Sequence, residues 1–248
     1  MKKHSGNIFI GIIYFLLYAP LLVMVFFSFN EAKSTSVFTG FSLKWYRELF
    51  ASSTTMTALK NTLILAVLSS VIATIIGTAA AVYIYYLRKK WWKNTLDIVT
   101  NIPMMNPDIV TGVSLMLLFV FVGRLIGATN SLSFITLLIA HVTFNLPYVI
   151  LNVLPKLNQT DSHLVEAAQD LGSTPTEAFF RVILPAIMPG VTSGLLMAFT
   201  LSLDDFVISY YTTGSSFQTL PLLIFSMTKK KVKPDMYALS TLIFVSVL

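Results

Sequence analysis

The sequence predicts an all-α integral membrane protein with six transmembrane helices. Among its 248 residues, 55% are hydrophobic and 11% are charged, and the mean hydropathy is +0.76. Soluble domains usually carry about 25% charged residues, so this composition is typical of a chain that spans a membrane. Long apolar segments recur along the chain and agree with that class. The composition therefore excludes a soluble globular domain.

Six apolar segments predict the spans. They lie near residues 8–29, 62–87, 98–123, 132–154, 186–208 and 237–248. A helix rises ~1.5 Å per residue and the hydrocarbon core is ~30 Å thick, so the first five segments are long enough to cross it. The sixth reaches only ~18 Å, and we expect the natural protein to continue beyond it. The first segment is longer than the apolar region of a signal peptide, and no A-x-A-like site follows, so we interpret it as a retained span.

Several function classes find no support in the sequence. The chain has no cysteine, which removes disulfides and thiolate chemistry. Its net charge of +6 comes from residues spread over the loops, without the aromatic interleaving of a nucleic-acid surface. No His, Asp and Glu residues have metal-ligand spacing, and no nucleophile has an evident base partner. A membrane enzyme or a metal site is therefore the weakest interpretation.

The basic residues predict the orientation only in part. Lys2 and Lys3 precede the first span, and the tight turn after the second span contains Arg88, Lys89, Lys90 and Lys93. The positive-inside rule places both groups in the cytoplasm. A third group falls on the opposite side and consists of Lys229, Lys230, Lys231 and Lys233. We favour a cytoplasmic N-terminus because the group at 88–93 lies in the shortest loop.

Small residues recur at every fourth position in two spans. The second span has Ser69, Ala73, Gly77 and Ala81, and the fifth has Gly190, Gly194, Ala198 and Ser202. Such a stripe lets helix backbones approach closely. It predicts packing within the chain, and a contact with a second membrane subunit is the alternative. For the polar residues His141, Thr143 and Asn145 of the fourth span, we expect hydrogen bonds to neighbouring helices.

The segment 161–185 is polar and predicts a helix pair of fixed shape. Asp161 can cap a first helix over roughly 162–171, and Gly172 stands where a left-handed residue ends a helix. Thr174 then begins a second helix, in which Glu177 completes a capping box and Pro175 takes the first position. The segment is therefore either a rigid connector or a docking element for a soluble partner.

The same segment resembles the EAA signature of binding-protein-dependent ABC importer permeases. The matching residues are Glu166, Ala167, Ala168, Gly172, Val182, Leu184 and Pro185, and the family usually has Ile in place of Val182. The resemblance covers roughly residues 60–245. It implies a type I importer permease, with a first helix and external loop at 1–60 and the permease domain, including its EAA loop, at 61–248.

The resemblance also implies the partners of the chain. One permease forms half of the pore, pairs with a second related permease subunit, and seats its EAA loop on a cytoplasmic ATPase dimer. The coupling residues would be Glu166, Ala167, Ala168, Asp170, Gly172, Leu184 and Pro185. The chain itself has no G-x-x-x-x-G-K-[ST] phosphate loop. We therefore expect a non-catalytic subunit without its own cofactor, ATP and Mg²⁺ being bound by the partner.

Three carboxylates in or near the spans are candidates for the substrate pathway, because ionisable groups inside a membrane are costly. They are Asp108, in a span interrupted by Pro103 and Pro107, and Asp204 with Asp205 in the fifth span. Carboxylates in a pore attract cations, and the following Tyr210 and Tyr211 offer aromatic faces to ammonium groups. The alternative for Asp108 is a cap at the end of a helix. The alternative for Asp204 and Asp205 is that they mark the solvent-exposed end of the fifth span.

The sequences around these carboxylates resemble the spermidine/putrescine importer permeases. The segments concerned are "NPDIV" and "FTLSLDDFVISYYTTG". The resemblance implies a polyamine substrate, an extracytoplasmic polyamine-binding protein, and a multi-pass location in the bacterial inner membrane. Lys229, Lys230, Lys231 and Lys233 would then face the binding protein or remain solvated. Alternatives are another small cationic cargo such as ferric iron or thiamine, and a self-sufficient secondary transporter or channel.

Overall fold

The chain folds into helices throughout its described part. A computed structural model describes residues 2–32, 37–128, 131–161, 163–215, 217–229 and 235–247. The helices are α1 (Lys2–Ser28), α2 (Lys44–Ala51), α3 (Ser53–Tyr86), α4 (Lys90–Met105), α5 (Asp108–Leu125), α6 (Phe134–Gln159), α7 (Leu164–Asp170), α8 (Pro175–Ala178), α9 (Leu184–Asp204), α10 (Val207–Thr212), α11 (Leu220–Thr228) and α12 (Asp235–Val247). A π-helical turn, Phe179–Ile183, joins α8 to α9. The predicted all-α class is confirmed.

Five helical segments are long and apolar enough to cross a membrane. They are Phe9–Ser28, Ser53–Tyr86, Asp108–Leu125, Phe134–Gln159 and Pro175–Asp204. A shorter apolar helix, Asp235–Val245, follows them. The prediction of five full spans and a shorter sixth is therefore confirmed, although several helices begin or end away from the predicted bounds.

The third predicted span, 98–123, is interrupted at Pro107 as the sequence predicts, whereas the predicted break at Pro103 is wrong, because Pro103 lies inside α4. The helix α4 ends at Met105, and α5 begins at Asp108. Pro107 cannot donate a backbone hydrogen bond, and it disfavours helical geometry in the residue before it. Asn106 accordingly has φ −82° and ψ 140°, and Pro107 has ψ 137°. Asp108 therefore lies in the first turn of a helix rather than within one.

The two stripes of small residues pack against α6. A Cβ atom built on Gly77 of α3 would come within 2.7 Å of the Val149 side chain of α6. A Cβ atom built on Gly194 of α9 would come within 3.3 Å of the Val149 Cα. Ala73 of α3 and Ala198 of α9 are fully buried in the same hydrophobic core. The interpretation as packing within the chain is confirmed, since both helices approach α6 more closely than larger side chains would permit.

The chain divides into two compact units. One consists of Met1–Leu59 and Leu223–Leu248, and in it both α1 and α2 contact α12. There the indole Nε1 of Trp45, which is buried, donates to the carbonyl oxygen of Asn30 at 2.6 Å. The other unit, Lys60–Leu222, contains the core around α6 and α9. The candidate coupling loop and the candidate pathway residues all lie in this second unit.

Candidate functional site

The first helix of the EAA loop is shorter than the sequence predicts. It covers Leu164–Asp170 instead of 162–171, and the residue at its N-cap is His163, which makes no side-chain cap bond. Asp161 Oδ1 instead accepts the backbone N–H of His163 at 2.9 Å, outside the helix. This local turn competes with helical geometry and delays the start of the helix. Asp161 therefore supports the entry to the helix without capping it.

The turn after α7 has the geometry that Gly172 predicts. Its φ of +89° lies in the left-handed region, which suits glycine. The backbone N–H of Gly172 donates to Gln169 O at 2.8 Å, and that of Ser173 donates to Ala168 O at 3.1 Å. This pair of bonds is a Schellman motif, which gives the last carbonyls of the helix their partners. The turn is therefore held by its own backbone hydrogen bonds.

The second half of the loop is continuous with a membrane-spanning helix. Thr174 Oγ1 accepts the N–H of Glu177 at 3.3 Å, and Glu177 Oε2 accepts that of Thr174 at 3.0 Å, so the predicted capping box is confirmed. The π-helical turn precedes Pro185, which has no N–H and whose ring crowds the preceding turn. The helix nevertheless continues as Pro175–Asp204, 30 residues long. One rod of ~45 Å thus joins the loop to Asp204.

The loop exposes an apolar side chain that the sequence analysis overlooked. Leu171, next to the left-handed Gly172, is 88% exposed. Among the predicted coupling residues, Glu166, Ala167, Asp170, Gly172 and Pro185 are exposed, Leu184 is half-buried, and Ala168 is buried. Ala168 therefore holds the loop against the protein, whereas the others form its surface. The signal for Leu171 was its place beside a glycine that ends a helix outside the spans.

His163 and Glu166 form an exposed contact that gives a pH-dependent prediction. The Nδ1–H of His163 donates to Glu166 Oε2 at 3.1 Å. This hydrogen bond, followed by the charges of Asp161 and Glu166, raises the pKa of His163 above its ordinary value. The charged form of the contact is therefore present at acidic pH and is lost as the pH rises through the raised pKa.

We expect Glu166→Gln to lower the pKa of His163, because it removes a carboxylate that favours the imidazolium. The titration can be followed by NMR of the histidine rings in the detergent-solubilised protein, which contains three histidines. His163→Gln identifies the signal by its disappearance. An unchanged titration of His163 in the Glu166→Gln variant would contradict the contact.

The two adjacent carboxylates of the fifth span have different surroundings. The helix α9 ends at Asp204, whose side chain is exposed. Asp205 has extended geometry, and its side chain is only 7% exposed. Its Oδ1 accepts the N–H of Ile208 at 3.2 Å, and its Oδ2 accepts that of Ser209 at 2.8 Å. Asp205 therefore caps the first turn of α10, and Asp204 is left facing outward.

A buried group of hydrogen-bonded side chains lies beside Asp205. We call it the Ser202 cluster, and its members are Ser69, His141, Asn145, Ser202 and Ser209. The Ser202 Oγ lies 2.8 Å from Ser69 Oγ, 3.0 Å from His141 Nδ1 and 2.8 Å from Asn145 Nδ2. The expected interhelical hydrogen bonds of His141 and Asn145 are confirmed, whereas Thr143 bonds to Ile139 O within α6.

The remaining candidates for the pathway lie on α5 and α10, which pack together. Asp108 is exposed in the first turn of α5. One turn later, a Cβ on Gly112 would come within 3.0 Å of the Tyr211 ring. Tyr210 is half exposed, and its ring centroid lies 5.3 Å from that of Tyr211. Asp108 and the tyrosine pair therefore belong to neighbouring elements, and their role in transport stays a prediction.

Of the four lysines predicted to contact a binding protein, one can be described. Lys229 is exposed, and its Nζ lies 4.5 Å from the ring centroid of Phe225. Lys230, Lys231 and Lys233 lie outside the described residues. Within the described part of the chain, no group of three His, Cys, Asp or Glu side chains is arranged to hold a metal ion.

Comparison with known proteins identifies relatives over nearly the whole chain. Residues 73–248 match the model of the family described as binding-protein-dependent transport system inner membrane component. The chain is 41% identical over 231 residues to the putrescine transport system permease protein PotI of Escherichia coli (strain K12), covering 93% of this chain and 82% of that protein. It is 42% identical over 241 residues to the spermidine/putrescine transport system permease protein PotC of Haemophilus influenzae, covering 96% and 90%.

Solved structures share the fold at low sequence identity. A bacterial ABC transporter involved in the import of the acidic polysaccharide alginate has a chain that matches with a TM-score of 0.77 and 15% identity, over 99% of this chain and 90% of that one. A bacterial alginate ABC transporter in complex with an alginate pentasaccharide-bound periplasmic protein has a chain that matches with a TM-score of 0.76 and 17% identity, over 99% of this chain and 89% of that one. At this identity the likeness establishes the arrangement of helices and no cargo.

Proposed function

The chain belongs to the family of inner membrane components of binding-protein-dependent transport systems, and from this premise we propose that it imports polyamines. It is a multi-pass membrane protein and a permease subunit of an ABC importer. The identity of about two fifths to PotI and PotC supports putrescine and spermidine as the cargo. These relatives span most of the chain, including the carboxylates predicted to line the pathway.

The exposed carboxylate of Asp204 is the observation that most strongly supports a cationic cargo. It stands at the break between α9 and α10, where the other carboxylate, Asp205, is withdrawn into hydrogen bonds. Tyr210 of α10 presents an exposed aromatic ring beyond the same break. A carboxylate and an aromatic face are the groups that attract protonated amines. We assign Asp108, Asp204, Tyr210 and Tyr211 to the pathway and give Asp205 a supporting place in it.

The EAA loop supports coupling to a separate ATPase. Its turn is held by a Schellman motif, its second half by a capping box, and it presents the apolar Leu171 to the outside. Leu164 and Phe180 of the same loop are also exposed, and several exposed apolar side chains on one loop are typical of a surface that binds a partner. Because the helix from this loop continues to Asp204, a displacement of the loop reaches the pathway without a flexible linker.

The complete transporter follows from this assignment. It would contain this chain, a second related permease subunit, two ATPase subunits that bind ATP and Mg²⁺, and an extracytoplasmic polyamine-binding protein. The EAA loop would face the cytoplasm, which also places the N-terminus there. Lys229 and the lysines that follow would then lie on the outer side, toward the binding protein.

Uptake of labelled putrescine and spermidine tests the cargo. Cells that lack this gene and retain its partner genes should lose uptake, and the restored gene should return it in an energy-dependent manner. Labelled thiamine and ferric iron serve as comparison cargoes. Restored uptake of one of these in place of polyamines would refute the polyamine assignment and leave the importer.

Purification tests the coupling independently of cargo. The tagged chain should co-purify with an ATPase subunit, and Leu171→Asp should weaken that association because it places a charge in an apolar contact. Leu125→Asp is a matched control, since Leu125 is a comparably exposed leucine, 71%, at the end of α5. A chain that transports polyamines without any ATPase would be a self-sufficient transporter.

A further inference from the structure

We propose that His141 is a positioning residue for transport. It holds Asp205 in the place where its carboxylate caps α10. This fixes the break between α9 and α10, at which Asp204 is exposed. The proposal rests on the pathway assigned above. His141 lies in the first third of α6, is 1% exposed, and comes within 3.4 Å of Asp205 Oδ2 through its Nε2. It does not contact the outside of the protein, so it acts through Asp205.

The cap on α10 depends on the carboxylate of Asp205. The helix α10 has six residues, and the N–H groups of Ile208 and Ser209 near its start are directed at that carboxylate. The Asp205 side chain is nearly removed from solvent, so water does not readily replace a partner that the carboxylate loses. His141 Nε2 faces the same oxygen from α6 at 3.4 Å and lies 3.0 Å from Ser209 Oγ, so it contacts both the carboxylate and the helix that the carboxylate caps. The orientation of Asp205 therefore depends on His141.

The hydrogen-bond roles in the Ser202 cluster agree with an Nε2–H of His141 that faces both Ser209 Oγ at 3.0 Å and Asp205 Oδ2 at 3.4 Å. If Nε2 of His141 carries the proton, Nδ1 accepts the hydroxyl proton of Ser202. The two lone pairs of Ser202 Oγ then accept from Asn145 Nδ2 and from Ser69 Oγ. With one donated and two accepted bonds, the hydroxyl of Ser202 is fully used. The opposite tautomer would turn a lone pair of Nε2 toward the carboxylate.

The cluster joins the four helices whose relative positions set the break. Ser69 lies on α3, His141 and Asn145 on α6, Ser202 on the last turn of α9, and Ser209 on α10. Ser202 stands two residues before Asp204 on the rod that begins at the EAA loop. A movement of that rod must therefore either carry the cluster with it or break hydrogen bonds to Ser202. A movement of the EAA loop would therefore also change the hydrogen bonds of His141.

Two substitutions separate hydrogen bonding from packing at His141. His141→Gln keeps a side-chain N–H near the position of Nε2, whereas His141→Leu keeps a similar volume and no donor. In purified complexes reconstituted with their binding protein, we expect His141→Leu to lower polyamine uptake per intact complex by about tenfold, as for other coupled hydrogen-bond partners. We expect His141→Gln to retain uptake within about threefold. Thr143→Val, in the same helix but bonded only to its own backbone, is the control.

A merely structural role gives a different result. It would reduce the amount of intact complex while leaving uptake per complex unchanged, and the leucine variant would match or exceed the glutamine variant. Either of these outcomes overturns the proposal. Equal loss in all three variants, including Thr143→Val, also overturns it, because the effect would then not depend on the bond to Asp205.

A labelling experiment decides the proposal even if the polyamine assignment fails. The chain contains no cysteine, so a single Thr212→Cys reports on α10 without other changes. Thr212 is fully buried, and we expect its cysteine to resist a charged thiol reagent in the otherwise native complex and in the His141→Gln background. In the His141→Leu background it should become reactive. Continued protection there would overturn the positioning role, whereas a native complex that transports neither polyamine would refute only the cargo.

Discussion

Replacement of Gly172 by valine should lower uptake roughly 5- to 30-fold while the membrane helices remain folded. Gly172 has φ +89°, and a side chain in the left-handed region costs about 1–2 kcal/mol, which corresponds to that range in population. No heavy atom lies within 4 Å of a Cβ built there, so the cost arises from backbone conformation and not from a clash. The EAA loop would then leave the geometry that docks the ATPase.

Gly127 offers a matched control at the end of α5. Its φ is +68°, a Cβ there meets nothing within 4 Å, and Ala128 N–H donates to Gly123 O at 2.9 Å in the same Schellman pattern. Gly127→Val should therefore carry a similar strain, yet leave uptake within about twofold because its loop lies apart from the EAA loop. Uptake per purified complex measures both. Equal losses in the two variants would mean that strain alone, and not docking, lowers transport.

Reversal of the charge at Asp204 should have the largest effect on a cationic cargo. A unit charge ~5 Å from a cation contributes about 3 kcal/mol at an effective dielectric constant of 20, which is roughly 100-fold in rate or affinity. We expect roughly 100-fold lower uptake for Asp204→Asn, which removes one unit charge, and a still larger loss for Asp204→Lys, which reverses it. Initial rates of putrescine and spermidine uptake per complex measure both variants.

Glu48 provides the comparison for a carboxylate outside the pathway. It is 52% exposed on α2 and forms a surface pair with Lys44 at 4.0 Å, an interaction worth about 0–1 kcal/mol. Glu48→Gln should therefore leave uptake within about twofold. Normal uptake by Asp204→Lys would remove Asp204 from the pathway. A loss for putrescine that spares spermidine would instead place Asp204 at a selective step.

Local sequence rules predicted the parts of the candidate site that depend on neighbouring residues. The capping box of Thr174 and Glu177 and the left-handed turn at Gly172 each involve partners within a few residues, and the structure confirms both. Pro107 likewise predicted the break in the third span, whereas Pro103, from which a break was also expected, lies inside α4. In each case the relevant groups are close along the chain, so spacing alone specifies them.

The surroundings of the carboxylate pair could not be read from the same rules. Asp204 and Asp205 are adjacent in sequence, and helical geometry would place them about 100° apart. The helix in fact ends between them, and Asp205 turns toward His141, which is 64 positions earlier in the chain. No periodicity relates two residues at that separation. The helical offset predicts that one carboxylate faces the pathway and the other a neighbouring helix, but it does not say which, and it does not connect either of them to His141.

Sequence patterns alone were enough to predict the membrane class, the approximate spans, the EAA loop and the family to which the chain belongs. These follow from composition, from periodic apolar runs and from short motifs, whose physical causes act over a few residues. The packing of the helices was needed to show which carboxylate faces outward and which is buried, and that one continuous helical segment joins the EAA loop to Asp204. These features depend on how α3, α6, α9 and α10 pack, because hydrogen bonds between distant segments form only after the helices have come together.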